Sequence, residues 1–157
     1  SSLPESSSCS GMWSTVRAGK SGNSTMATNQ IDVWIEPISN ETGIAFLKEN
    51  RAAKECVFVR PCDYWIGAYY NGTLVGVGGW TQKQRYAEIG GVFVKDEFRR
   101  KGVGTLINAG LILEVGNKTI VAYARPMEAR ILRKFGFVEK QTLRNGTVKM
   151  ERKQINE

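Results

Sequence analysis

Arg99-Arg100-Lys101-Gly102-Val103-Gly104-Thr105 joins a strand-like run, Ala87 to Val94, to a helix-like run, Val103 to Glu114. A strand that turns through glycines straight into a helix gathers unpaired backbone N–H groups and the positive end of the helix dipole at one point. Gly102 and Gly104 have no Cβ, so an anion can approach the main chain and unusual dihedrals cost little. The cations Arg99, Arg100 and Lys101 add charge where a polyanion would arrive. The passage reads as a cradle for a pyrophosphate. Its plainer reading is a basic helix start beside a glycine turn.

The spacing excludes two familiar alternatives. A P-loop needs Gly-x-x-x-x-Gly-Lys-Ser/Thr, and ahead of Gly19-Lys20-Ser21 the first glycine is replaced by Ser14. A dinucleotide fingerprint needs a third glycine where Ile107 stands. Arg99, Gly102 and Gly104 fit Arg-x-x-Gly-x-Gly instead. The stretch Val92 to Gly104 resembles the strand-four-to-helix-three passage of the GNAT acetyltransferase superfamily, with Asp96 where proline is common. Ala129 to Phe137 resembles its closing helix and Gly-Phe signature, and the likeness runs from about Asp63 to Glu151.

That resemblance implies an α/β (α+β) fold, a mixed central sheet with helices on both faces. It implies an acetyl-CoA-dependent N-acetyltransferase that moves acetyl to a primary amine by direct attack on the thioester. Main-chain groups of Val92, Phe93 and Val94 would hold pantetheine, with an oxyanion donor near Val94. Arg99, Arg100, Lys101, Gly102, Val103, Gly104 and Thr105 would hold the pyrophosphate. Glu88 matches an acidic residue that some relatives carry on this strand and is the candidate base; it reads equally as an exposed or salt-bridged strand glutamate. Relatives often place a thiol-protonating tyrosine where this chain has Leu132, and an asparagine where it has Arg125. Tyr123 is a candidate substitute for that acid, or a packed strand tyrosine. Arg125 is a candidate for a CoA phosphate or an acidic acceptor.

Composition narrows the alternatives. A chain of 157 residues supports one domain with a sizeable core. Residues 1–25, rich in serine and glycine, read as a flexible leader, and 26–157 as a single acetyltransferase domain. No apolar run reaches membrane-span length and the start lacks a signal-peptide pattern, so the expected location is cytoplasmic, with no membrane partner. With no histidine, Ser-His-Asp and Cys-His catalysis are excluded, and no metal site is expected from Cys9, Cys56 and Cys62. Cys56 and Cys62 read as small apolar side chains. The net charge of +7 favours acidic partners, CoA among them. A nucleic-acid-modifying or nucleic-acid-binding role and a non-catalytic CoA-binding sensor or scaffold are the competing readings. The acceptor and the oligomeric state are left open.

The remaining pattern gives β-α-β-β-β-α-β-α-β-β. Ile31 to Ile38 alternates as a strand, and Ser39 or Asn40 caps a helix to about Ala53 with Ile44, Phe46 and Leu47 inward. Asp63–Tyr70 and Thr73–Trp80 flank Asn71-Gly72, a type I′ hairpin signal. After a short loop at 81–84, Tyr86 to Val94 is the next strand, and Gly90-Gly91 within it suits a bulge or packing against a bulky neighbour. Leu106, Ile107, Gly110, Leu111 and Leu113 or Glu114 stripe the following helix. Thr119–Ala124 is a buried strand and Met127–Phe135 a helix stopped at Gly136. Phe137–Leu143 and Thr147–Arg152 close a hairpin across Asn145-Gly146. Trp34, Trp65, Tyr70, Trp80, Thr81 and Gln82 form an aromatic-rich group that is either acceptor-side or core. The first helical region is short, so the acceptor side is open or the single helix fills it.

Overall fold

The computed structural model describes residues 17–18, 32–55 and 57–155. The rest of the 1–25 leader, Cys9 and Cys56 lie outside the described residues. Arg17–Ala18, inside that leader, form a two-residue strand β1 against Val33 and Trp34.

Alternating Val33 and Ile35, both fully buried, make Val33–Ile38 strand β2. Ser39 then caps helix α1, Asn40–Glu49, its hydroxyl accepting from the Thr42 N–H at 3.0 Å. Asn40 instead ties the helix start to the sheet. Its Oδ1 accepts from Trp65 Nε1 at 2.8 Å and from the Cys62 N–H at 3.0 Å. The helix stops at Glu49, short of Ala53, and a 3₁₀ turn over Ala52–Glu55 follows. Phe46 and Leu47 are buried as expected; Ile44 is only partly so.

Tyr64–Tyr70 (β3) and Thr73–Gln82 (β4) form the expected hairpin, β4 running through part of the predicted loop. Asn71 and Gly72 both take positive φ, 51° and 79°, as a type I′ turn requires. Ala87–Val94 (β5), a 3₁₀ turn at Asp96–Phe98, helix α2 (Val103–Val115), β6 (Ile120–Ala124), helix α3 (Pro126–Arg133), β7 (Val138–Thr142) and β8 (Val148–Arg152) complete the order. The second Asn-Gly turns differently. Only Gly146 has positive φ, 88°, and the Asn145 side chain accepts from the Thr147 N–H at 2.9 Å.

The strands form one sheet in the order β1-β2-β3-β4-β5-β6-β8-β7. Every neighbouring pair is antiparallel except β5–β6. One face packs on α2 and α3 through Ile107, Leu111, Leu132 and Phe137; the other packs on α1 through Leu47, Trp65 and Phe93. The predicted stripe of α2 is right at Leu106, Ile107 and Leu111 and wrong at Leu113, which is 68% exposed, while Val115 is buried. The core turns the helix by the α period, and residue 113 falls on its outer side. No helix among the described residues is long and apolar enough to cross a membrane.

Candidate active site

Strands β5 and β6 pair only where Ala87–Ile89 meets Ile120–Ala122. Beyond that they part, for a local reason. Val77 faces Phe93 and Gly79 faces Gly90, so Gly91 and Val92 together stand opposite Gly78. This is a β-bulge with Gly91 at φ +67°. Such a bulge bends its strand and ends pairing with the neighbour. The bulky neighbour is present too: a Cβ on Gly91 would lie 3.0 Å from the Trp65 ring.

The parting leaves a cleft between the two strands. Glu88 to Val92 of β5 form one wall and Ala122 to Arg125 the other. Asn108, Glu128 and Leu132 reach it from α2 and α3, and Val57, Phe58, Arg60 and Asn145 from loops. None of Trp34, Trp65, Tyr70, Trp80, Thr81 and Gln82 lines it. Trp65 is core, Trp34 stacks on Tyr69, and Tyr70 packs against Phe98.

Along the free edge of β5, the Lys95 N–H donates to the Val75 carbonyl at 2.9 Å. By strand alternation the polar groups of Val94 face away from β4, toward the gap. The Val94 carbonyl accepts there from Arg99 Nε at 2.9 Å. The chain then turns through Arg100 at φ +64° and Gly102 at φ +87° into α2. That helix starts with no side-chain cap and no acidic residue in its first turn. Its leading N–H groups are the donors that an anion would take.

Arg99 is not aimed into this cradle. Its guanidinium turns back over the Phe93 ring, 4.9 Å from the centroid, and lies 3.0 Å from the Glu55 carboxylate. Arg125, at the N-cap of α3, pairs with the same carboxylate and lies 5.8 Å from the Phe93 centroid. Its other terminal nitrogen donates to Glu128 at 3.1 Å. Glu55 thus ties the ends of the two parted strands together. Burial pushes the Glu55 carboxyl up, but Arg99 and Arg125 outweigh it and hold it below the usual range. For Glu128 burial prevails over Arg125, and its carboxyl is held above that range. Burial acts to lower the Arg125 guanidinium, yet Glu128 and Glu55 raise it. The buried Arg125 Nε–H has no acceptor among the described residues.

Glu88 is both salt-bridged and in the cleft. It is 7% exposed, pairs with Arg60 and stands 3.8 Å from Lys83 Nζ. Tyr123 also lines the cleft, 38% exposed, on the sheet face opposite its neighbours Ala122 and Ala124, which pack in the core with Leu132. Cys62 is partly buried, and burial raises its thiol. Among the described residues no cluster could hold a metal ion. Sequence reasoning missed Glu55, Arg60 and Glu128. Only Glu128 carried a signal, a carboxyl one helical turn before Leu132.

The model of the acetyltransferase (GNAT) family matches residues 30–125. The chain belongs to this family. No curated protein matches the sequence. Among solved structures, Escherichia coli ElaA superposes with a TM-score of 0.62 at 16% identity, covering 77% of this chain and 99% of that one. The PaiA N-acetyltransferase of Thermoplasma acidophilum, in complex with coenzyme A, gives 0.58 at 15%, covering 78% and 99%. The N-acetylglutamate synthase of Neisseria gonorrhoeae, complexed with coenzyme A and L-arginine, gives 0.61 at 14%, covering 79% of this chain and 34% of that one. At these identities the likeness is one of fold, and the chemistry of this GNAT chain rests on its own residues.

Proposed function

We propose that the chain is an acetyl-CoA-dependent N-acetyltransferase acting on a primary amine, at work in the cytoplasm. One observation carries the reading: the β5 edge freed by the Gly91 bulge leads directly into the uncapped start of α2. An extended amide-bearing arm can add to such an edge as a strand does, and a diphosphate at its end meets the helix N-terminus. The main chain of Val92 and Val94, with Phe93 between them, holds the arm. Arg100, Lys101, Gly102, Val103, Gly104 and Thr105 hold the diphosphate. Arg99 and Arg125 frame the passage from the other side.

When bound, the donor supplies an activated acyl carbon. The protein must supply a neutral amine. For an alkylamine near pKa 10.4, reaching that form at pH 7 costs about 4–5 kcal/mol. Glu88 takes the amine proton, directly or through water, with Arg60 and Lys83 orienting its carboxylate. Tyr123 presents a hydroxyl beside the same space. Backbone N–H groups on the β5 edge, near Val92 and Val94, stabilise the oxyanion.

Calorimetric titration with CoA and acetyl-CoA, followed by mass-spectrometric search for acetylated products in an amine panel, tests the reading. Heat with the nucleotides and a mass gain on an amine are the expected results. Well-folded protein that gives no heat with either nucleotide would refute it.

A further inference from the structure

Leu132 leaves this chain without the phenol that relatives place there, yet the same face of α3 carries a carboxyl one turn earlier. Residues 128 and 132 are four apart on one helix and so lie on one stripe. Helical side chains lean toward the N-terminus, so a tyrosine at 132 would lay its hydroxyl over the turn that holds Glu128. Leu132 is too short to fill that space and is itself 2% exposed. Both residues line the cleft, with Gly90, Val92 and Asn108 on the facing walls. Building on the donor reading above, we propose that Glu128 is the general acid that protonates the departing donor sulfur.

In the balanced step the acceptor nitrogen forms a C–N bond to the acyl carbon. The C–S bond breaks with its electron pair going to sulfur, and the proton on the Glu128 carboxyl moves to that sulfur. The products are an amide and a thiol. Glu128 is left as a carboxylate, and the proton shed by the acceptor nitrogen, through Glu88 or solvent, completes the balance.

The surroundings suit an acid better than a fixed anion. Arg125 divides its guanidinium, one terminal nitrogen to Glu55 and the other to Glu128 at 3.1 Å, and Arg99 draws Glu55 away at 3.0 Å. Glu128 therefore has only a share of Arg125, with Arg99 acting from farther off, and its side chain is 15% exposed. Burial holds the carboxyl above the usual range in spite of Arg125. Once the proton has left, Arg125 is already in place to hold the carboxylate. The other titratable groups facing the cleft are Glu88, paired with Arg60, and Tyr123. Tyr123 approaches from the sheet face opposite α3, so the two candidate acids stand on different sides of the donor.

The test needs no acceptor. CoA is bound to the full chain and its thiol is titrated by thiolate ultraviolet absorbance, with the desulfo-CoA complex as the blank. A carboxylate beside the sulfur opposes thiolate formation, so the bound thiol should be about tenfold less acidic than free CoA. In Glu128→Gln, where Arg125 remains, the acidity should recover by about tenfold or more. The double change Glu128→Ala with Leu132→Tyr should make the thiol more acidic than in the parent, because a neutral phenol donates to the thiolate. The parent titration can overturn the role even if a variant does not fold. A bound thiol that titrates as in free CoA overturns the role of Glu128 and leaves the donor reading standing. So does a shift that survives Glu128→Gln, which would come from burial of the thiol rather than from a neighbouring carboxylate. Absence of CoA binding removes the donor reading, and this inference with it.

Discussion

The two sides of the cleft are built by different means. On the side proposed for the donor, the structure offers main chain: a strand edge released by a bulge, then the uncapped N-terminus of α2 reached through Arg100 and Gly102 at positive φ. On the side proposed for the acceptor, it offers side chains: Glu88 between Arg60 and Lys83, Tyr123 on β6, and Phe58 and Asn145 on loops. A wall of backbone tolerates almost any side chain but demands glycine where the chain must turn sharply. A wall of side chains makes no such local demand, and its members come from segments far apart in sequence. The first kind of wall suits a ligand common to a family, the second a ligand peculiar to one member.

The sharpest way to break this division is Gly102→Glu. It adds a side chain at φ +87° and a negative charge at the helix start, and should weaken CoA binding by about 100-fold or more. Unchanged affinity in a calorimetric titration would mean that the diphosphate is held elsewhere. Glu88→Gln addresses the opposite wall. Turnover should fall by about 100-fold with CoA affinity intact, and equal losses in both would make Glu88 structural.

Gly91→Ala tests whether the bulge belongs to the donor wall alone. The new Cβ meets Trp65 at 3.0 Å in a left-handed conformation, so thermal unfolding should show a loss of about 1–3 kcal/mol together with weaker CoA binding. Full stability would show that the strand can relax. Ser39→Ala, remote from both walls, removes the α1 cap and should cost about 1 kcal/mol of stability with no change in CoA affinity. A change in affinity there would mean that α1 couples to the cleft.

The smallest effect is a pH dependence. The folded-state pKa of Glu55 is depressed, so its ion pairs add stability above the unfolded carboxylate range and lose it as pH falls through the folded value. Glu128 is raised, so folding favours its protonated form, and that contribution is lost as pH rises from the unfolded value through the folded one. Denaturant melts across pH should show Glu55→Gln flattening the acid limb and Glu128→Gln gaining relative stability toward neutral pH. Parallel curves for parent and variants would remove the bridge from the energetics.

Much of the fold was legible because local signals agreed with one another. Asn71-Gly72 between two β-rich runs, the Gly91 bulge and Gly136 past the last helix each leave a mark within a few residues. Asn145-Gly146 shows the limit, since the same dipeptide took a different turn once its asparagine side chain bonded to Thr147. The glycine turn into α2 was readable for the same reason. On the opposite side Glu88 and Tyr123 were legible as candidates but Arg60 was not, because it meets Glu88 and Lys83 only after the fold lays its loop against the β4–β5 hairpin. Glu55 had no local signal at all; its partners Arg99 and Arg125 are distant in sequence.

The parallel ladder of β5 with β6 spans three register pairs, and it is the seam along which two antiparallel blocks are stitched. Few main-chain bonds would have to yield for those blocks to rock against each other, hinged on the packing of α2 with α3. The protein thus carries a short join beside the proposed donor site, and a bound cofactor arm would act as the missing stitches.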